Sequence, residues 1–318
     1  MVSRRQETAA LLARSCGAPL ALTYADLDTA LSAPSIDVVC VNSPNHLHAQ
    51  HAIAAARAGK HVIVEKPLCL SLVEADAVLS AAQSAGVGLA YAENLCFAPL
   101  YRQARALLIS GAIGRVLRAR HCEKHAGPYS PWFWNVEEAG GGALLDLCCH
   151  SVECLRWLLG KPRITRVSAE LRRVAHADKT RLEDDARVTL ELEDGTQLIA
   201  ESSWANADKS ESRLEVRGQG AVLEASLLGE SGLRLRQGDG DWERVAATET
   251  GDSAGYVEEL THFLDCFRAG REPEESGHDG RAVLEILLAA YASAQRGEPV
   301  ALPFDPGDVA RPVDLWLS

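Results

Sequence analysis

The sequence has no excess of positive charge: 32 Lys and Arg stand against 44 Asp and Glu, a formal net charge of −12. That balance argues against a surface built for nucleic acid or an anionic membrane. There is no apolar run near the ~18 residues of a membrane span. Met1 to Gln6 are polar and basic, so no secretory signal is expected there. A disulfide framework is also missing. The nine cysteines are scattered, and vicinal Cys148 and Cys149 are poor partners for a structural bridge. A reducing cytoplasm is the natural reading. What is present is an ordinary globular composition, 47% hydrophobic and 24% charged over 318 residues, enough for two domains.

The first third alternates apolar runs with helical patterns. Ile36–Val41 reads as a strand covered on both faces. Asn45 can cap the next helix, whose Ala-rich body, Ala52 to Ala58, stops at Gly59. Val62–Val64 and Val87–Tyr91 are further strands, and Ser71-Leu-Val-Glu74 is a capping box opening the helix between them, which runs to about Gly86. Such alternation predicts a doubly wound α/β sheet.

That sheet usually carries a Gly-rich turn after its first strand, which seats a pyrophosphate on a helix N-terminus. No GxGxxG occurs; Gly140-Gly-Gly142 and Gly218-Gln-Gly220 lack the spacing. The chain opens at Met1-Val-Ser3-Arg4-Arg5 and enters a helix, Gln6–Cys16, ended by Gly17, with Ser3-Arg-Arg-Gln6 as a capping-box pattern. This opening reads as the tail of a second strand. The expectation is therefore an N-terminally incomplete Rossmann domain, short of a strand, its turn and a helix, which a start further upstream would restore. Arg4 and Arg5 oppose the helix dipole and favour a nearby anion. At the end of a second Rossmann strand, Arg suits the phosphate of NADP where an acid suits the ribose of NAD.

Three ordered motifs follow: Ser43-Pro44-Asn45-His46-Leu47-His48; Glu65-Lys66-Pro67 after a strand; and Gly140-Gly-Gly-Ala-Leu-Leu-Asp146-Leu-Cys-Cys-His150. In order and spacing they resemble the glucose–fructose oxidoreductase / inositol dehydrogenase (Gfo/Idh/MocA) family. The likeness extends to the end, with Gly277-His-Asp-Gly280 before a helix and Gly297-Glu-Pro-Val300 after it. The resemblance implies a Rossmann domain followed by an α+β domain with a large, mostly antiparallel open sheet, divided here at 1–97 and 98–318. It implies hydride transfer between NAD or NADP and a sugar or polyol, and assembly as a homo-oligomer through that sheet. By the same resemblance Ser3, Arg4, Arg5, Asn42, Ser43, Pro44, Asn45, His48 and Asn94 line the cofactor, with Glu65 and Lys66 beside the nicotinamide. Arg4 and Arg5 favour NADP.

The chemistry suits these residues. Oxidising a carbinol removes a hydroxyl proton, and Lys66, at a strand end beside a hydride acceptor, can take it if burial and a cationic nicotinamide depress its pKa. Pro67 pushes Lys66 away from helix. Asp146 and His150 are i and i+4 on a predicted helix from about Gly142 to Leu159, so they share a face. His150 can relay a proton, and Asp146 can orient a hydroxyl or the imidazolium. The preceding glycines would let the backbone approach the nicotinamide. Lys124, His125, Trp132 and Trp134, in a loop-like stretch around Gly127-Pro128 and Ser130-Pro131, are substrate candidates, since aromatic faces with interspersed polar groups suit a sugar. Two residues depart from the family: Cys148 replaces a usual Gly, and Cys96, in Asn94-Leu-Cys-Phe97, replaces a common Arg.

From about Arg163 the apolar period becomes two. Arg166–Leu171, Ala186–Leu192, Gln197–Ser203, Arg213–Val216 and Leu233–Arg236 read as strands of a sheet with one covered face, and Glu193-Asp194-Gly195-Thr196 as a hairpin turn. Tyr256–Phe267 and Arg281–Ala294 are amphipathic helices. Glu183-Asp184-Asp185 reads as a solvated acidic turn in preference to a cation site. Two rival functions remain: a metal enzyme gathering Cys122, His125, Cys148, Cys149 and His150, and a non-catalytic sugar-binding or dimerising subunit lacking the pyrophosphate turn.

Overall fold

The computed structural model describes residues 1–228, 232–245 and 253–317. Strand β1 (Val2–Ser3), helix α1 (Gln6–Cys16), strand β2 (Leu22–Thr23) and helix α2 (Leu27–Leu31) come first, with β1 and β2 paired in parallel. Then β3 (Val38–Val41), α3 (His48–Arg57), β4 (His61–Glu65), α4 (Leu72–Ala85) and β5 (Leu89–Ala92) form a parallel sheet of order β3-β4-β5. In a dinucleotide-binding sheet of order 3-2-1-4-5-6, strand 1 joins two flanks of these sizes. No strand among the described residues joins β1–β2 to β3 here. Accordingly β3 is an edge: Val38 and Val39 are half-buried and Cys40 is exposed, not covered on both faces as its apolar sequence predicts.

Local signals resolve unevenly. Gly17 and Gly86 end α1 and α4 in the left-handed conformation, and the Ser71 hydroxyl accepts from Glu74 N–H as a cap should. The capping box expected at Ser3 is not formed: Ser3 lies in β1, and Arg5 is the N-cap with no side-chain bond. Asn45 does not cap α3. A 3-10 turn, Asn45–Leu47, intervenes, and the Asn45 amide donates instead to Ala139 O at 2.8 Å.

The second part opens with α5 (Pro99–Ile109), β6 (Val116–Lys124), α6 (Val136–Ala139) and α7 (Cys149–Leu158). Strands β7 (Ile164–Arg172), β8 (Asp185–Leu192), β9 (Gln197–Ser203), β10 (Glu211–Gly218), β11 (Ala221–Ser226), β12 (Gly232–Gln237) and β13 (Glu243–Val245) follow. After α8 (Tyr256–Arg268) and α9 (Gly277–Arg296), β14 (Val300–Ala301) and α10 (Asp314–Leu317) complete the chain. The nine strands from β6 make one sheet, β13-β12-β11-β10-β6-β9-β8-β7-β14. Only the β6–β9 pairing is parallel, so the sheet is mostly antiparallel as expected.

One face of this sheet is covered by α7 on β6 and α9 on β7. The other is open and laced with charge: Glu201 receives Arg120 at 2.6 Å, Lys124 at 3.2 Å and Arg187 at 3.1 Å. The C-terminal helices return to the first sheet, where Tyr91 N–H donates to Glu275 O and Ala90 bridges Ser276. The glycines of 277–280, expected before a helix, form the first turn of α9, where a Cβ on Gly280 would meet the Tyr91 ring at 2.8 Å. All nine cysteines are free. Among the described residues no helix is long and apolar enough to cross a membrane.

Candidate active site

Glu65, Lys66 and Glu93 lie at the carboxyl ends of β4 and β5, the end of the sheet at which open α/β folds bind ligands. Opposite them the chain passes Gly140-Gly-Gly142 and enters a π-helical turn, Leu144–Cys148, before α7. Such wide turns recur at functional sites. Asp146 lies within this turn and His150 just beyond it, and the two side chains take different partners.

Lys66 Nζ donates to Asp146 Oδ1 at 2.8 Å and to the Asp146 carbonyl at 2.7 Å. The second carboxylate oxygen of Asp146 accepts from Trp204 Nε1 at 3.0 Å. His150 Nδ1 pairs instead with Glu93 Oε1 at 2.6 Å, so Glu93, not Asp146, orients the imidazole. Glu93 is fully buried, and its other carboxylate oxygen has no hydrogen-bond partner.

These pairings set the protonation states. Burial opposes charge on Lys66, but Asp146, Cys149 and Glu65 outweigh it and hold the ammonium above its ordinary range. The expected depression is therefore reversed: the nearby carboxylate wins over desolvation. Burial likewise works against Asp146, yet Lys66 and the Trp204 N–H keep its carboxyl below the usual range. His150 is raised above 6.5, Glu93 overcoming the effect of burial. Glu65 is raised by burial, with Lys66 opposing, and Glu259 of α8 is pushed to about 9 by burial and by Glu65 and Glu93.

The remaining candidates separate. His125 stands near enough for Asp146 and Lys66 to influence it, though burial lowers its pKa and its Nδ1 is taken by Gly127 N–H at 2.9 Å. Trp134 packs edge-on to Trp204, forming a wall behind Asp146, whereas Trp132 stacks on Phe133. Lys124 is not in the site: it lies on the open face of β6, bonded to Glu201. Its neighbour Glu123 faces inward with His121, whose Nδ1 meets Ser151 Oγ at 2.8 Å.

Both nitrogens of His48 and the amide nitrogen of Asn94 are engaged within the protein. The His48 nitrogens lie 2.7 Å from the carbonyls of Pro67 and Ser43, tying two loops of the cleft, and burial lowers its pKa to about 4. The Asn94 amide donates to Ala254 O, anchoring the start of α8. Asn45, bonded to Ala139, moors its loop to α6. Asn42 is exposed and Pro44 half-buried, while Ser43 Oγ lies 3.0 Å from His51 Nδ1, beside Tyr24. Ser3 pairs with Thr23 in the small sheet, Arg5 is exposed, and Arg4 contacts both carboxylate oxygens of Glu138 at 3.3 Å.

The glycines before Asp146 are required by protein packing. A Cβ on Gly141 would lie 2.3 Å from Tyr291 Oη, and one on Gly142 would lie 1.9 Å from the Glu183 carbonyl. Glu183 and Asp184 are wholly buried, correcting the solvated-turn reading. Glu183 accepts from Gly142 N–H, Leu144 N–H and Tyr291, and Asp184 from the N–H groups of Val174, Ala175 and His176. Of the rival metal set, Cys149 and His150 gather with Glu93, their ligand atoms within 4.8 Å. Cys122, His125 and Cys148 belong to no such group among the described residues.

A parallel α/β domain, an open-sheet domain behind it and a Lys–Asp, Glu–His cluster between them define a two-domain oxidoreductase architecture. Residues 1–93 match the oxidoreductase family with an NAD-binding Rossmann fold, and residues 101–224 match the GFO/IDH/MocA C-terminal domain. The chain belongs to the Gfo/Idh/MocA family. It is 30% identical over 310 residues to 1,5-anhydro-D-fructose reductase of Ensifer adhaerens, covering 94% of this chain and 89% of that protein. Identity to scyllo-inositol 2-dehydrogenase (NAD(+)) of Bacillus subtilis is 29% over 275 residues, 86% of this chain and 79% of that one. Among solved structures, GenD2 from gentamicin A biosynthesis in complex with NAD superposes with a TM-score of 0.85 at 32% identity, covering 95% and 88% of the two chains.

Proposed function

We propose that this chain is a nicotinamide-dependent oxidoreductase acting on a sugar, polyol or sugar derivative, with Lys66, Asp146 and His150 handling the substrate oxygen and its proton. Residues 1–97 would carry the cofactor side and 98–318 the substrate side, with the open sheet as the assembly surface. The observation that carries this reading is the Lys66–Asp146 pair at 2.8 Å beside His150–Glu93 at 2.6 Å, at the ends of parallel strands.

The residues fit the nicotinamide end of the cofactor: Glu93 is a fully buried carboxylate with one unpartnered oxygen, and Glu65 a half-buried one, an environment suited to a cationic ring. Asn42, Ser43, Glu65 and Lys66 would hold it. A Gly-rich pyrophosphate cradle is not among the described residues. Arg4 contacts Glu138 through Nη1 alone and stays largely exposed, as does Arg5, so the two cations would suit the phosphate of NADP while NAD is also accepted. Bound there, the nicotinamide would supply or accept the hydride.

The protein's own groups manage the proton. An ammonium has three N–H donors. Lys66 commits two to Asp146, leaving one for a substrate oxygen. Trp204 and Lys66 together keep Asp146 ionised, which keeps Lys66 charged and aimed. His150, held through Nδ1, presents Nε2 as its nitrogen without a protein partner among the described residues. In reduction its imidazolium donates to the developing alkoxide, and in oxidation its neutral ring accepts the hydroxyl proton. A Lys66→Ala variant should bind sugar and cofactor while losing turnover, with its thermal unfolding cooperative. Undiminished turnover in a folded variant would overturn the assignment.

A further inference from the structure

We propose that Glu123 makes this site selective for a sugar or cyclitol bearing a cationic amino group, and against phosphorylated or carboxylated sugars; this deepens the oxidoreductase reading above and rests on it. The charge inventory of the cleft is unbalanced. Lys66 is matched by Asp146 and His150 by Glu93. Glu65, Glu123 and Glu259 have no Lys or Arg ion pair among the described residues, and no arginine forms an ion pair with any of the five carboxylates.

Of the three unmatched carboxylates, Glu65 lies beside the proposed nicotinamide and Glu259 is shut away at 2% exposure. Glu123 alone is left for the substrate. It sits on the inner face of β6, two residues beyond His121, which is bonded to Ser151 next to His150. Its side chain keeps 15% exposure, and one oxygen accepts from the Ser212 hydroxyl. His150 is the strongest attractive influence on its carboxyl, and burial holds the group at about 7. His121, 3.7 Å away, is lowered by burial to about 3 and so supplies no positive charge. The unpartnered buried oxygen of Glu93 deepens the negative potential, whereas Glu259, pushed to about 9, is neutral and adds no charge. A substrate ammonium would be attracted there, and an anion would meet uncompensated carboxylates.

The test is ligand binding to the wild-type chain, by calorimetry at pH 7.5, with glucose, 6-amino-6-deoxyglucose and glucose 6-phosphate as probes and NADH titrated in parallel. The expected order is amine over glucose by roughly tenfold, a 1.4 kcal/mol preference, with the phosphate ester weakest. Glu123→Gln should bring the amine to within about twofold of glucose. If that variant does not fold, lowering the pH of wild type to about 5.5, where Glu123 is protonated and the amine stays charged, should erode the preference in the same way. Equal binding of amine and glucose, or an amine preference unchanged in Glu123→Gln or at low pH, overturns the proposal. Binding of NADH with indifferent sugars would overturn it alone, whereas absence of binding by NADH and every sugar would overturn the oxidoreductase reading as well.

Discussion

Glu259 offers a stability measurement that needs no substrate. Its side chain projects from α8 toward the site, is 2% exposed, and has one oxygen without a partner. Burial first, then the neighbouring Glu65 and Glu93, raise its carboxyl from 4.5 to about 9. In the unfolded chain the same group loses its proton at the ordinary carboxylate pKa. Between those values the folded state holds a proton that the unfolded state has released, so stability falls as pH rises. The slope is about 1.4 kcal/mol per pH unit, roughly 4 kcal/mol between about pH 6 and pH 9. Glu259→Gln keeps an acceptor for the Glu93 backbone N–H but cannot ionise. Denaturant unfolding of both proteins at several pH values should show the variant gaining on wild type steadily across that range. Stability curves that stay parallel from pH 6 to pH 9 would refute the reasoning, because they would mean that Glu259 titrates alike in both states.

Other perturbations follow from the same geometry. Trp204→Phe leaves Asp146 Oδ2 without its buried donor and should cost about 1.5–3 kcal/mol in denaturant unfolding; a loss under about 0.5 kcal/mol would show that water replaces the indole. Glu93→Gln removes the charge that raises His150, so an NMR titration of that imidazole should shift to lower pH; an unshifted curve would detach Glu93 from His150. Gly142→Ala drives a methyl into the Glu183 carbonyl, which lies 1.9 Å from the built Cβ, and should destabilise by about 1–3 kcal/mol or more. A neutral effect there would contradict the tight seating of the π-turn.

The sequence shows where the chain's chemistry lies better than it shows which side chains meet. Lys66 is legible because a strand end, a carboxylate and a proline surround it locally. Its pKa is not, since the carboxylate that reverses the expected depression lies 80 residues away. Glu93 with His150 and Trp204 with Asp146 are separated by 57 and 58 residues, beyond any local pattern. Strand β6 was hidden for a related reason. His121 and Glu123 are inward-facing polar residues, so its period-two pattern does not read as apolar and polar faces. Parity along that strand separates Glu123 from Lys124, the residue the loop reading selects. Glu183-Asp184 misleads because acidic triplets are usually solvated, whereas here both side chains satisfy backbone N–H groups in the interior. The π-turn that carries Asp146 also has no local signature.

The most direct measurement follows the hydride itself. Purified chain is incubated with NADH deuterated at the nicotinamide C4 and a panel of keto sugars, and the products are examined by NMR. Deuterium at a single carbinol carbon, lost in Lys66→Ala, is the result expected of an oxidoreductase built on the Lys66–Asp146 and Glu93–His150 pairs. A chain that binds sugar yet transfers no deuterium under any condition would be a binding subunit, and the catalytic reading of this cleft would be wrong.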